Sequence, residues 1–315
     1  MKKVTIVVPF LNEEENLINI DNRILELREL IPNANLEFIF VDDGSTDNSV
    51  GIVKSLQTKI DGIKLIILSK NFGPHYAILA AIDNTKDSDY LSIMSADMQE
   101  PSSLYRDLFV KSSDTNCDIT VADRQSRNTD AINKFFSKSY NKLVNKYAIK
   151  DFPEKGLDIY MINDKVISQL QNKQFKNTSL HGIVFNMGFH KEYVPYTQLT
   201  RTQGISKWSF ANKIKLFIDT FVSFSVMPLK LITILGILFS SIGFMYGVYI
   251  IISSLLGNIE VEGWTTLVAI NIFGFGLVFL MLGIISEYIW RIYDQLNPRD
   301  MYIVKDKFGF DEDIT

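Results

Sequence analysis

The hydrophobic positions of this chain come first in short, nearly continuous runs and later in two very long ones. Val4-Thr5-Ile6-Val7-Val8-Pro9 predicts a fully buried first strand. Asn12 to Leu30 predicts a helix. Asn12 is its expected N-cap, Glu13, Glu14 and Glu15 sit at the positive end of the dipole, and Leu17, Ile20, Ile24, Leu27 and Leu30 form the apolar stripe. Leu36 to Val41 predicts a second strand, followed by the polar turn Asp42-Asp43-Gly44-Ser45-Thr46-Asp47 and a helix from Asn48 to Gln57. Lys64 to Leu68 predicts a third strand ending at Lys70-Asn71-Phe72-Gly73, and Pro74 to Asn84 a third helix. Tyr90-Leu91-Ser92-Ile93-Met94 predicts a fourth strand. This alternation implies the α/β class, with a parallel sheet covered by helices on both faces.

Pro101 to Lys111 predicts a helix and Asp118 to Ala122 a further strand. Arg124 to Asp130 is polar and basic without hydrophobic periodicity, so it is expected to be a loop. Ala131 to Tyr147 predicts an amphipathic helix carrying Lys134, Lys138, Lys142 and Lys146. Beyond Asp151 the pattern loosens into Lys155-Gly156-Leu157-Asp158, a short helix near Lys165 to Leu170, and strand-like runs from Gly182 to Phe189 and Glu192 to Tyr196. Arg201-Thr202-Gln203-Gly204-Ile205-Ser206-Lys207-Trp208 reads as a second basic loop. Asn212 to Phe224 sets Ile214, Leu216, Phe217, Phe221 and Phe224 beside Lys213 and Lys215, a pattern that suits a helix at a membrane surface.

Met227 to Leu256 and Trp264 to Trp290 are the two long runs, each exceeding the ~20 residues a helix needs to cross the hydrocarbon core. The expected organisation is a soluble domain over 1–210, a surface helix over 211–228, membrane spans over 229–256 and 264–290, and a tail over 291–315. Met301 to Val304 in that tail reads as a short strand able to return to the soluble domain. The loop between the spans, Gly257 to Gly263, has no Lys or Arg, whereas the outer flanks carry Lys213, Lys215, Lys230, Arg291, Arg299, Lys305 and Lys307. The positive-inside rule then puts both ends in the cytoplasm, on a multi-pass protein of the inner (plasma) membrane.

Composition adds little to this. Across 315 residues the formal net charge is −4 and 47% of positions are hydrophobic, concentrated in the two spans. The single Cys117 excludes an intramolecular disulfide and fits a reducing compartment. The N-terminus does not read as a signal peptide, because its apolar run is short, contains Pro9 and leads into glutamates. His75, His181 and His190 are scattered, which argues against a histidine metal site.

The densest chemistry lies at Ser95-Ala96-Asp97-Met98-Gln99-Glu100-Pro101. Open α/β sheets bind ligands at the carboxyl ends of their strands, and this turn follows the fourth one. In an extended segment Asp97 and Gln99 point to the same side. A carboxylate beside an amide oxygen suits a hard divalent cation, which takes its other ligands from water and substrate phosphates.

With Val7-Val8-Pro9-Phe10-Leu11-Asn12-Glu13-Glu14, Asp42-Asp43-Gly44-Ser45-Thr46-Asp47, Lys70-Asn71-Phe72-Gly73 and Ala96-Asp97-Met98-Gln99 in this order and spacing, the chain resembles family 2 glycosyltransferases of the GT-A (Rossmann-like) fold. Gly156-Leu157-Asp158, Arg201 to Trp208 and the paired C-terminal spans make it similar to the polyprenyl-phosphate branch, which includes bactoprenol glucosyltransferases and dolichyl-phosphate mannose synthase. The resemblance implies a mostly parallel GT-A sheet domain followed by a two-helix transmembrane hairpin. It also implies inverting transfer of one sugar, glucose or N-acetylglucosamine, from a UDP-sugar to polyprenyl (undecaprenyl) phosphate. Donor nucleotide contacts fall on Pro9, Leu11, Glu13, Asp42, Asp43, Lys70, Ser95 and Ala96. The metal, Mg²⁺ or Mn²⁺, falls on Asp97 and Gln99. The acceptor phosphate falls on Arg124, Lys134, Ser137, Arg201 and Lys207, with Asp158 either a base or a positioning group. Relatives suggest a homo-oligomer, with a flippase and a second transferase acting downstream. No nucleic-acid partner is implied.

The chain departs from the family's frequent Asp-x-Asp at Ser95, which removes one negative charge from the metal site. Three other readings compete. A processive synthase needs more spans and a Gln-x-x-Arg-Trp motif, and Gln203 to Trp208 is one residue too long with Lys207 for Arg. A glycolipid synthase acting on diacylglycerol needs Asp158 as a true base. A membrane scaffold needs neither UDP nor metal.

Overall fold

The computed structural model describes residues 1–125, 159–173, 176, 179–199, 227–256, 263–297 and 299–310. They fall into two units, Phe217–Pro298 and the rest, the residues from Arg299 onward grouping with the N-terminal portion. The expected helices over 131–147 and 212–224 and the loops over 126–130 and 201–208 lie outside the described residues.

The first unit runs β1 (Lys2–Phe10), α1 (Glu14–Leu17), α2 (Ile20–Leu30), β2 (Ala34–Asp42), α3 (Ser49–Gln57), β3 (Ile63–Leu68), α4 (Pro74–Asp83), β4 (Tyr90–Ile93), α5 (Ser102–Thr115) and β5 (Ile119–Arg124). It continues with β6 (Tyr160–Asn163), α6 (Asp164–Leu170), α7 (Leu180–Asn186), β7 (Lys191–Tyr196) and, from the tail, β8 (Val304–Phe308). These strands form one sheet in the order β7-β5-β6-β4-β1-β2-β3-β8. The central β4-β1-β2-β3 is parallel, joined by crossover helices as the sequence pattern demands. The sheet as a whole is mixed: β6 runs antiparallel to both β4 and β5, and β8 antiparallel to β3.

Val4, Ile6, Val8 and Phe10 share one core with Leu17, Ile20, Ile24 and Leu27 of α1 and α2 and with Leu104, Tyr105 and Leu108 of α5. On α4, Ala77 to Ile82 are all buried, as expected for a helix enclosed on every side.

Three expectations are corrected, and one strand, β6, is unexpected. The helix over 12–30 is two pieces, and Asn12 does not cap it. Asn12 has φ +53 and its Oδ1 accepts from Thr46 N–H (2.7 Å), tying it to the loop after β2. The run Gly182 to Phe189 is helical at its start: Ser179 accepts from Gly182 N–H (3.3 Å) and caps α7, and Leu180 and Val184 fall on one face. The four-residue strand β6 is wholly buried and too short to carry a periodic signal. The tail does return to the first unit, but through Val304–Phe308. There Lys305, Asp306 and Lys307 are exposed, and charges suit an edge strand. This strand is fastened by Ser69 N–H to Ile303 O (2.9 Å), Tyr302 Oη to Asp83 Oδ2 (2.6 Å) and Gln57 Nε2 to Phe308 O (3.2 Å).

Three rings gather from α4, β6 and α7. His181 lies edge-on to His75 at 5.1 Å and to Tyr160 at 5.5 Å, with its Nδ1 3.3 Å from Tyr160 Oη. Burial pushes the His181 imidazole down to about 4 from an ordinary 6.5. Between those values the unfolded chain binds a proton that the folded chain refuses, so stability falls as pH drops through this window. Thermal melts from pH 7 to pH 4 check this, and His181→Gln is expected to flatten the dependence.

The second unit consists of α8 (Met227–Leu255) and α9 (Trp264–Leu296). Both are long and apolar enough to cross a membrane by length and composition. Ile234, Ile237, Phe244, Phe275 and Phe279 all face outward, an arrangement water disfavours and hydrocarbon accepts. Within the unit the two helices meet at Phe239 and Phe273, whose rings lie 5.9 Å apart.

Candidate active site

The parallel strands β1, β2, β3 and β4 all end on one edge of the sheet, and their four following loops carry the described candidate residues on the donor side. Phe10 pairs with Asp42 and Val7 with Ile93, so the loops after β1, β2 and β4 are neighbours. Placing them this way costs nothing extra, because a parallel sheet must put every such loop on the same side.

The first two loops are bonded together. Glu13 N–H donates to Ser49 Oγ (2.9 Å), Glu14 N–H to Asp47 Oδ2 (3.2 Å), Asn12 N–H to Ser45 Oγ (2.9 Å), and Asn48 N–H returns to Glu14 Oε2 (2.9 Å). These bonds satisfy backbone groups of both loops, the first of which begins at Pro9 and Leu11, both half-buried. Glu13 is also half-buried, with Oε2 accepting from Asn16 Nδ2 (2.6 Å).

The two adjacent aspartates divide their work. Asp42, buried at the end of β2, accepts Ser45 N–H on Oδ1 (2.9 Å) and so shapes its own turn. Asp43 points to the third loop, where Oδ1 accepts from Phe72 N–H (2.7 Å) and Oδ2 from Gly73 N–H (2.9 Å). Burial holds the Asp43 carboxyl above its usual range, opposed by those two N–H groups. The residue therefore organises the Lys70 loop from below. Lys70 itself is exposed, its Nζ 5.1 Å from the Phe72 ring centre.

Between these loops the backbones come very close. Gly44 has φ +83, and a Cβ there would lie 2.7 Å from Lys70 C and 2.8 Å from Asn71 N. Only glycine meets both demands.

The turn after β4 is not extended. Met98 N–H donates to Ser95 O (3.2 Å), Met98 has φ +52, and Gln99 N–H approaches Asp97 Oδ1 (3.4 Å). The alternation that would put Asp97 and Gln99 on one side is therefore replaced by a tight turn that folds residue 99 back beside residue 97. Ser95, Asp97 and Gln99 are half-buried and Ala96 is buried. The turn is gripped from two directions. Arg23 of α2 donates to Met98 O (3.4 Å) and to Ser102 Oγ, which in turn donates to Glu26. On the other side Leu199 N–H donates to Gln99 O (2.8 Å) and Gln198 Nε2 to Gln99 Oε1 (2.5 Å).

Arg124, expected in a loop, is the last residue of β5 and only 7% exposed, with Nη1 donating to Gln198 Oε1 (2.9 Å). The pairing of β5 with β7 brings Arg124 beside Tyr196, two residues before Gln198. Lys134, Ser137, Asp158, Arg201 and Lys207 lie outside the described residues. Neither Arg23 nor Gln198 is an expected site residue. Each reaches the turn across a long stretch of sequence and belongs to no local motif.

The donor set at the turn fits a hard divalent ion. Among the described residues no three or more His, Cys, Asp or Glu side chains gather into a cluster. The turn itself offers the Asp97 carboxylate, the Gln99 amide oxygen and the Ser95 hydroxyl, with a second carboxylate, Glu100, buried at the next position. A cation that keeps waters and substrate phosphate oxygens in its shell needs no more protein than this.

Residues 5–194 match the profile of Glycosyl transferase family 2. Among curated proteins, the chain is 31% identical over 311 residues to an uncharacterized glycosyltransferase of Bacillus subtilis, covering 98% of this chain and 94% of that one. It is 29% identical to a prophage-derived bactoprenol glucosyl transferase of Shigella flexneri, covering 96% and 97%. It is also 29% identical to an undecaprenyl-phosphate 4-deoxy-4-formamido-L-arabinose transferase of Shewanella sediminis, covering 96% and 92%. Among solved structures, a mannosyltransferase of Pyrobaculum calidifontis, in complex with GDP-Man and Mn²⁺, is similar in fold with a TM-score of 0.51. It is 15% identical, and the match covers 70% of this chain and 63% of that one.

Proposed function

Because the chain belongs to glycosyl transferase family 2, and is thus a glycosyltransferase, we propose that it moves one sugar from a UDP-sugar to a polyprenyl phosphate at the cytoplasmic face of the membrane. The observation that carries this reading is the gathering of four loops, with Asp97 and Gln99 on the last, at one edge of the parallel strands. Support for a lipid acceptor comes from the bactoprenol and undecaprenyl-phosphate relatives, matched over nearly their whole length, and from the two long apolar helices. The same helices support a multi-pass protein with both ends cytoplasmic, given the basic flanks.

In this reading the base and ribose lie against Pro9, Leu11 and Glu13, with Asp42 beneath them. Carboxylates there accept hydrogen bonds from base N–H and ribose hydroxyl groups. Lys70 and the Asp43-braced backbone after it face the diphosphate. Asp97 and Gln99 hold Mg²⁺ or Mn²⁺, with Ser95 and Ala96 beside them. Bound there, the ion neutralises charge that develops on the departing UDP.

The acceptor phosphate is held by Arg124, Lys134, Ser137, Arg201 and Lys207, since arginine forks suit phosphate oxygens. A phosphate oxygen attacks the anomeric carbon from the face opposite UDP. The new carbon–oxygen bond forms as the bond to UDP breaks, and UDP leaves with its electron pair. An α-linked donor therefore yields a β-linked product. The phosphate is already an anion at neutral pH, so Asp158 serves to position the acceptor rather than to deprotonate it.

The test is UDP release by the detergent-purified chain with Mn²⁺ or Mg²⁺, over a panel of UDP-sugars, with and without undecaprenyl phosphate. Release that needs the lipid phosphate, one sugar and the metal, and stops with EDTA, is expected. Release with diacylglycerol instead would replace the acceptor, and absence of both release and UDP binding would leave a scaffold. Arg201→Ala is expected to raise the KM for the lipid phosphate about tenfold or more, a charge-assisted phosphate contact being worth roughly 1.5–3 kcal/mol. UDP binding, measured by calorimetry, is expected to stay near wild type.

A further inference from the structure

Gln198 stands between two groups of the proposed site that the sequence sets far apart. Its Oε1 accepts from Arg124 Nη1 (2.9 Å) and its Nε2 donates to Gln99 Oε1 (2.5 Å). The direction of this chain of bonds is fixed chemically. A guanidinium has only donors, so Gln198 must turn its oxygen to Arg124 and its amide nitrogen to Gln99. Gln99 must then answer with oxygen. The orientation of both amides follows from the arginine at one end. The neighbouring Leu199 N–H to Gln99 O bond (2.8 Å) clamps the same residue through its main chain.

We propose that Gln198 is a positioning residue for the metal: by donating to Gln99 Oε1 it fixes which amide atom faces the ion, and it couples that choice to Arg124. The proposal rests on the reading of Asp97 and Gln99 as metal-holding residues. A carbonyl oxygen has two lone pairs, so Gln99 Oε1 can accept from Gln198 and still ligate a cation. A carboxamide without Gln198 can turn over and present N–H₂ to the ion, which repels it. Partners of this kind, one step behind the ligands, typically change metal affinity by about 10–100-fold. They matter most where the protein supplies few direct ligands, as here with Ser95 in place of a second carboxylate.

The experiment measures Mn²⁺ binding rather than turnover. Mn²⁺ is titrated into the full-length chain in detergent with saturating UDP, and free ion is followed by its electron paramagnetic resonance signal. Gln198→Met keeps the size and loses both bonds. It is expected to raise the Mn²⁺ Kd about tenfold or more, with the UDP Kd in EDTA unchanged. Gln99→Ala is expected to do the same, and the double variant to be no weaker than Gln99→Ala alone, because both changes cut one path. Gln198→Asn, too short to span the two partners, serves as a second variant of retained polarity and is expected to behave like Gln198→Met. Wild-type Mn²⁺ affinity in both Gln198 variants, or effects that add in the double variant, would overturn the proposal. Absence of UDP-linked Mn²⁺ binding in the unaltered chain would remove the metal reading itself, and this proposal with it.

Discussion

Asp97→Ala is expected to lower lipid-dependent UDP release about 1,000-fold while leaving the chain folded. Charge stabilisation by a bound metal is worth several kcal/mol in the transition state, and each ~1.4 kcal/mol is a factor of ten. With Ser95 in the place of a family carboxylate, Asp97 is the one carboxylate proposed as a ligand on its turn, the neighbouring Glu100 being buried. The cost to the fold is small. Asp97 is half-buried, and its bond to Gln99 N–H is long at 3.4 Å, while Arg23, Leu199 and Gln198 grip the turn through other atoms. The check pairs turnover with a thermal melt. Wild-type turnover in Asp97→Ala, with EDTA present, would sink the metal assignment, and a large loss of melting temperature would make the variant uninformative about chemistry.

Gly44→Ala is expected to have the largest effect on stability. The left-handed backbone costs an alanine roughly 1–2 kcal/mol. Its Cβ, 2.7 Å from Lys70 C and 2.8 Å from Asn71 N, must also push two main-chain segments apart, and overpacking of this kind costs about 1–3 kcal/mol. Together these reach about 2–5 kcal/mol, a large share of a net stability of about 5–15 kcal/mol. Gly188→Ala is the matched control. Gly188 has φ +75 but nothing within 4 Å of its would-be Cβ, so it carries the backbone cost alone. Gly44→Ala is expected to melt several degrees below Gly188→Ala and, on the proposed placing of the diphosphate at the Lys70 loop, to bind UDP more weakly. Equal melting temperatures would mean that the two loops do not touch.

What the sequence revealed follows from the range of the forces involved. Buried strands such as Ile6-Val7-Val8 and Leu65-Ile66-Ile67 announce themselves as apolar runs. A polar turn behind such a run, as at Asp97, has few places to go in a parallel sheet. Local competition misled where two signals overlapped. Asn12 is a good cap by type, yet its amide is drawn to Thr46 (2.7 Å) in the loop after β2. Gly182 to Phe189 looks like a strand until Ser179 is seen to cap it. The inward turn of Asp43 toward Phe72 and Gly73 depends on how two loops stack, and nothing in Asp42-Asp43 says which carboxylate turns which way. Gln198 was invisible for a simpler reason: it meets Gln99 across 99 positions, and a contact at that range leaves no pattern in either neighbourhood.

The strand at the end of the chain has a consequence for how the protein comes into being. Gln57 meets Phe308 across 251 positions, and nearly everything between them, including both long apolar helices, leaves the ribosome first. During synthesis the catalytic unit therefore emerges with β3 as an open edge, offering unpaired N–H and C=O groups to any passing strand. Only a chain translated through Phe308 can seal that edge, with Lys305, Asp306 and Lys307 facing outward. Chains ended before Val304 keep the loops after β1 to β4 yet remain adhesive. In the cell, reaching this strand is what separates a sealed sheet from material for the quality-control proteases.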